Sequence, residues 1–372
     1  MTPRRADLHV HTRHSRVSGN LRFLRSRDCY SRPADVYRVA RRRGMDYVAF
    51  TDHDSIGGAL ELLEARPDLA DRVIVGEEVS CTLPDGGVQV HLAVYGMTEA
   101  LHRDLQPLRE NVFDVMARLR EADVLFALNH LLHFYRGQVP LDRYLALVDL
   151  VPAVEARNGT MAMAHNALIE RIASEGVGDR FRTGSQRKRS PTPSSLEGVG
   201  DRFRASEGVG DRFRPIIHRK RSPTPSSFRT DPQRKRSPTP SIAMTAGSDA
   251  HTLRRVGTTW TEAPGSTRDE FLANVRRGLG VPRGAHGTAR TIAADAYGVI
   301  ARYVASLAGF GPCDLAPWRR AACLAFSAGS APFQFVPLLM AARSKAGERR
   351  AIEHLSRHLA PSIAEREELQ PV

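Results

Sequence analysis

The chain has 372 residues, 41% of them hydrophobic and 26% charged, enough for one large core and unlike a disordered or collagenous polypeptide. Its four cysteines (Cys29, Cys81, Cys313 and Cys323) form no C-x-x-C pair, which argues against a disulfide framework or cysteine zinc site and predicts a reducing, cytoplasmic setting. The formal net charge of +13 is concentrated in one place: residues 174–242 hold 16 Lys+Arg against 7 Asp+Glu, a surplus of +9, leaving +4 for everything else.

The opening stretch "MTPRRADLHVH" shows no apolar run of signal-peptide length, so export is not expected. Beyond it, short β-rich runs alternate with helical ones, which predicts parallel βαβ units. The predicted strands are 6–12, 46–54, 72–80, 88–96, 124–132, 150–159 and 242–251. A helix is predicted in "RPADVYRVARRRG", with Pro33 in its first turn and Gly44 at its end. In "LQPLRENVFDVMARLREAD" the spacing puts Leu108, Val112, Val115, Met116 and Leu119 on one face. A further helix is predicted over 161–173.

Residues 174–241 break this pattern. The unit "EGVGDRFR" occurs at 175–182, 197–204 and 207–214, and "RKRSPTPS" at 187–194, 219–226 and 234–241. Pro, Ser, Gly and Arg dominate, with too few apolar side chains to offset the entropy of ordering, so the stretch reads as a disordered basic repeat inserted into the domain. A translated repeat without selected function explains it, and so does a basic tether for nucleic acid or an acidic membrane. The domain reading is therefore 1–173 and 242–297 as one interrupted barrel, 174–241 as the insertion, and 298–372 as a helical C-terminal tail. Within that tail, "AACLAFSAGSAPFQFVPLLMAA" (321–342) is apolar, but two prolines, a glutamine and several serines make it a poor transmembrane span.

Ligand-type side chains gather within or at the C-terminal halves of the seven strands: His9, His11, Asp52, His53, Glu78, His91, His130, Glu155, Asp249 and His251. In a closed β/α barrel the loops at that end converge on one mouth, so residues far apart in sequence meet there. Imidazoles and carboxylates together point to bound metal, with zinc, manganese and iron all compatible. Glu77 alternates to the face opposite Glu78 and is expected to be structural.

In order along the chain, "DLHVHT", "TDHD", "GEEVS", "VHLAVYG", "ALNH" and "GSDAH" resemble the polymerase and histidinol phosphatase (PHP) superfamily of metal-dependent phosphoesterases. The likeness covers roughly 6–173 and 242–297, and "RRRGMDYVAFTDHDSIGGALEL", "EARNGT" and "GAHGTARTIAADAYGVIARYV" resemble a bacterial branch sometimes joined to glycosyltransferases. It implies a distorted seven-stranded (βα)7 barrel holding two or three divalent cations. By motif, His9, His11, Glu78 and Asp249 would hold one cation. Glu78 would bridge to a second on His91 and His130, and His53 and His251 would contribute to a third with Asp52 nearby. Where relatives with three cations carry an Asp or His after the first pair, this chain has Arg16 and Val17. Arg16 is then expected to offer fixed positive charge to a substrate phosphate, and His14 is a candidate acid for the leaving group. Glu155 and Asn158 are expected to touch substrate or an outer water. The expected reaction is phosphoester hydrolysis by attack of a metal-bound hydroxide on a small-molecule substrate. The competing expectations are a metal-binding module without activity, serving regulation or scaffolding, and a nuclease gripping its substrate with the basic repeat.

Overall fold

In a computed structural model of the chain, the described residues are 3–15, 24–84, 86–175, 242–311 and 313–359. The chain divides into a larger unit, 1–181 with 241–372, and a smaller one, 182–240, which lies outside the described residues together with the disorder expected there. All seven predicted strands are present in the larger unit: β1 (Arg4–Val10), β2 (Tyr47–Phe50), β3 (Val73–Leu83), β4 (Val88–Tyr95), β5 (Leu125–Leu128), β6 (Ala153–Asn158) and β7 (Ala243–Gly247). Two more, β8 (Thr259–Ala263) and β9 (Val281–Gly284), complete a sheet of order β7-β6-β5-β4-β3-β2-β1-β8-β9. The nine strands correct the expected seven.

A uniformly parallel sheet is corrected too. Strand pairs β1–β2, β2–β3, β5–β6 and β6–β7 are parallel, but β4 runs antiparallel to both β3 and β5. The β3–β4 connection is too short for a parallel crossover, and Gly86 and Gly87 turn it with φ of +77° and +63°. Reversal places the N-terminal half of β4, rather than its C-terminal half, beside the later residues of β3. His91 thus pairs with Ser80, and Ala93 with Glu78.

The sheet curls until its ends nearly meet. The backbone N–H of Asp249 donates to His9 O at 2.8 Å, and that of His11 to Ala250 O at 3.1 Å, which ties the end of β1 to the chain leaving β7. Gly247 permits this approach: a Cβ there would lie 2.3 Å from His9 Cβ. One cross-strand row runs Glu78, Ala93, Ala127, Ala153, Ala243. Because paired residues share a face, Glu78 projects over a floor of methyl groups.

Helix α1 (Pro33–Arg42) begins with Pro33 and places Asp35 in its first turn and Arg41 and Arg42 in its last, as the helix dipole favours. Next come α2 (Gly57–Ala65), α3 (Glu99–Leu105) and α4 (Val112–Glu121). In α4, Asn111 accepts from Phe113 N as the cap, so the predicted apolar face starts at Val112, and Val112, Val115, Met116 and Leu119 are buried. Helices α5 (Leu141–Leu145) and α6 (Met163–Glu175) follow, then α7 (Arg268–Asn274), α8 (Ala289–Leu307), α9 (Pro317–Gly329) and α10 (Val336–Leu359). The described part of the expected tail, from 298 to 359, consists mainly of α8, which begins before 298, α9 and α10. On either side of the repeat, Ile242 N donates to Ala173 O at 3.1 Å, so the chain leaves and re-enters the barrel unit at one place.

Candidate metal centre

Four strands, β1, β2, β5 and β7, end in irregular turns that carry ligands. His9 is the last residue but one of β1 and His11 follows the strand; His53 lies after β2, where its backbone bridges to Glu78 of β3. His91 comes from reversed β4, His130 follows β5, and Asp249 and His251 follow β7. His130 and Asp249 have φ of +28° and +50°, a left-handed conformation that non-glycine residues seldom adopt and that clusters at functional sites.

These eight side chains meet. His9, His11 and Asp249 form one group whose ligand atoms lie within 4.8 Å of one another; His9, Glu78 and His130 form a second, His53, Glu78 and His91 a third, and His11, His53 and His251 a fourth. Glu78 joins the groups. Its Oε1 lies 3.1 Å from His91 Nδ1 and 2.9 Å from His130 Nε2, and its Oε2 lies 3.1 Å from His53 Nδ1 and 3.2 Å from His9 Nε2. Asp249 Oδ1 stands 3.2 Å from His11 Nε2 and 3.5 Å from His9 Nε2.

The residues present fit divalent cations. His9 Nε2 and His11 Nε2 face each other at 3.1 Å, a contact in which at most one ring offers a proton. Glu78 Oε2, His91 Nε2 and His130 Nδ1 are buried without a hydrogen-bond partner among the described residues, a costly arrangement unless an ion satisfies the donors around it. The electrostatics agree. Burial pushes Glu78 upward, but His9, His53 and His91 outweigh it and hold the carboxyl well below its ordinary range; His9 and His11 do the same for Asp249. Burial, reinforced by His251, pushes His11 down to about 4, and His53 falls well below its usual value mainly through burial. Ionised carboxylates beside the neutral imidazoles of His11 and His53 are donor forms that metal binding requires; at His9 and His130 burial is outweighed by Glu78 and the neighbouring carboxylates, which hold these two rings above the usual imidazole value, so a cation bound there would displace a proton.

Several expected residues have other positions. Asp52 stands outside the cluster: it accepts from Thr12 N, from Thr12 Oγ1 at 2.7 Å and from Ser15 Oγ at 3.1 Å, so its carboxylate fastens the turn after β1. Ser15 Oγ in turn lies 3.0 Å from His11 Nδ1, making Asp52 a support for a ligand. His14 Nε2 is 2.6 Å from Glu61 Oε2, an oxygen it shares with Arg13. Arg16 lies outside the described residues. Glu155 and Asn158 are buried behind the ligands. Glu155 Oε1 is 2.8 Å from His9 Nδ1, its Oε2 accepts from His130 N at 3.0 Å, and Asn158 Nδ2 donates to Glu155 and to Asp249. Glu77 does face away, 2.7 Å from His102 Nδ1.

Supporting residues that the sequence reasoning missed are Asn129, whose Nδ2 donates to Glu78 Oε1 at 3.0 Å, and Thr160, whose Oγ1 donates to Asp249 Oδ2 at 3.0 Å. Asp7 belongs with them, accepting from Ser248 N, Ser248 Oγ and Gly257 N beneath the Asp249 turn. Their signal was adjacency: Asn129 precedes His130, Ser248 precedes Asp249, and Asp7 lies one strand alternation before His9.

Residues 239–279, which carry Asp249 and His251 on the segment closing the barrel, match a family model described as PHP-associated. The chain is 33% identical over 78 residues to an uncharacterised protein of Methanocaldococcus jannaschii, a match covering 21% of the chain and 45%, less than half, of that protein's length. It is similar in structure to a two-domain Bacteroides vulgatus protein containing a predicted PHP-like metal-dependent phosphoesterase, at 12% identity and a TM-score of 0.44, covering 76% of this chain and 65% of the other. It is also similar to PsfC from Pseudomonas syringae, at 14% identity and a TM-score of 0.44, over 81% and 99% of the two chains.

Proposed function

We propose that this chain is a metal-dependent phosphoesterase acting on a small-molecule phosphate ester in the cytoplasm. The observation that carries the reading is Glu78: a fully buried carboxylate with five imidazoles around its two oxygens, joining two of the candidate metal groups. A carboxylate placed to serve two cations at once is the feature that paired-metal hydrolysis of phosphoesters needs. Divalent cations bound there would supply Lewis acidity, neutralising phosphoryl oxygens and making a water acidic enough to react near neutral pH.

The protein's own residues do the rest. Glu155 accepts from His9 Nδ1–H, which leaves Nε2 facing the centre, while Asn129 donates to Glu78 Oε1. Thr160 and Asn158 occupy Asp249 Oδ2, leaving Oδ1 turned toward His9 and His11. His251 and His53 are the most open of the ligand imidazoles, which sets the side from which a substrate phosphate reaches the centre. Four free thiols suit a reducing compartment. Metal analysis of protein purified without chelator, beside turnover of p-nitrophenyl phosphate and a panel of phosphate esters, tests the reading. Bound metal with turnover abolished by Glu78→Gln supports it. Bound metal with no turnover of any ester would leave a binding module and defeat it.

A further inference from the structure

The C-terminal helices expose an apolar surface that the barrel does not use. From Ala321 to Ala342 the sequence has no charged residue, and it is bracketed by Arg319 and Arg320 on one side and Arg343 on the other. Within this run only Cys323 and Ala341 are buried. At the turn between α9 and α10, Ala331, Pro332, Phe333, Gln334 and Phe335 are all exposed, Phe333 at 60%, and Leu339 is 60% exposed just inside α10. Trp318, one of two tryptophans in the chain, is 72% exposed beside the arginine pair. Solitary exposed apolar residues are ordinary; this many aromatic and aliphatic side chains around one turn are not.

The turn is tied to α8, where the Tyr297 hydroxyl donates to Gln334 O, and the helix that follows it is anchored. Farther along α10, Lys345 Nζ donates to Thr160 O at 2.6 Å, Glu348 Oε1 accepts from Ala162 N at 2.8 Å, and Leu355 is fully buried. No single helix among the described residues is long and apolar enough to cross a membrane; α9 and the following helix reach that composition only together, across a 57° bend. Exposed aromatic and aliphatic side chains with the exposed Arg343 at their margin are the composition of a segment lying in a bilayer interface, apolar groups among the acyl chains and a guanidinium at the headgroups, while Arg320 is turned back to donate to Leu307 O. A second copy of the chain would bury the apolar groups but leave the bracketing arginines facing one another. An anionic lipid surface matches both, and the net charge of +13 adds long-range attraction.

We propose that the α9–α10 turn docks the protein on an anionic membrane surface, inserting Phe333, Phe335 and Leu339 into one leaflet. The test is flotation of the full chain with vesicles of phosphatidylcholine, with and without phosphatidylglycerol. Binding is expected on the anionic vesicles and several-fold weaker on the neutral ones. A Phe333→Ser, Phe335→Ser, Leu339→Ser variant, altered only at exposed positions, should lose at least about tenfold in vesicle affinity at unchanged melting temperature and metal content. Arg343→Glu should weaken binding to the anionic vesicles alone. The proposal is overturned by no association with anionic vesicles, by binding that survives the triple substitution, or by a dimer in sedimentation that the same substitution dissociates while vesicles stay bare.

Discussion

Asp52 and His53 are neighbours in one turn, yet one supports the β1 turn and the other faces the centre. The difference can be measured. Asp52→Ala strips acceptors from Thr12 N, Thr12 Oγ1 and Ser15 Oγ, all in a buried turn, and should destabilise the fold by roughly 2–4 kcal/mol in urea titration. Its metal content, measured at a temperature where it remains folded, should fall less than that of Glu78→Gln. The latter removes charge shared by two ligand groups and should cost at least one equivalent of metal per chain by elemental analysis. Equal metal loss in the two variants would contradict the separation of roles. A pH effect belongs at this scale as well. His165 is fully buried, its Nε2 has no hydrogen-bond partner, and burial pushes its pKa down to about 4. Unfolded chain takes up this proton near pH 6.5 and folded chain only near 4, so stability is full above 6.5 and falls as pH drops through that window, by up to about 3 kcal/mol. His165→Gln should flatten this part of the stability profile relative to wild type. A variant profile parallel to the wild-type one between pH 6.5 and 4 would dismiss the residue as its source.

At the level of elements, the alanine row decides how far ligands reach. Ala93, Ala127, Ala153 and Ala243 lie across four strands in line with Glu78, and Ala93 and Ala153 sit two residues from His91 and Glu155. Side chains longer than a methyl group there would fill the space beneath the carboxylate. Ala127→Leu is expected to overpack this layer, costing roughly 1–3 kcal/mol and lowering metal occupancy, whereas Ala127→Gly should affect stability more than occupancy. Calorimetry with metal analysis checks both. The same strands show what a reader of the sequence can obtain. His9, His11 and Glu78 were legible because alternation in a buried strand assigns a face, and Glu77 was assigned away on that ground. The reversal of β4 was not, since alternation has period two in either direction; only the brevity of the β3–β4 link carried it. Strands β8 and β9 escaped because each is short and β9, Val-Pro-Arg-Gly, lacks buried residues altogether. Asp52 was misassigned because the turn after β2 leaves the strand repeat, and with Asp54 at φ +50° face counting stops there.

For the whole molecule, the question is how a barrel tolerates a repeat of 68 residues between its sixth and seventh strands. Closure entropy grows only logarithmically with loop length, so the insertion costs little if its two ends already lie together. They do: Ala173 O accepts from Ile242 N, and α6 reaches that point with Leu168, Ile169, Ile172 and Ala173 buried in the main core. The ligands on either side of the insertion are fastened independently of it, Asp249 through His9 O and Asp7 through Ser248 and Gly257. Replacing residues 177–240 with a short Gly-Ser linker should therefore leave metal content unchanged and shift stability by no more than about 1 kcal/mol, in the direction of greater stability for the shorter loop. The shortened protein also separates the repeat from the remaining surface: its charge surplus disappears while the α9–α10 turn is intact. If excision instead releases metal or abolishes cooperative melting, the repeat supplies contacts to the barrel, and the continuity of α6 with β7 is insufficient to hold the last two ligands in place.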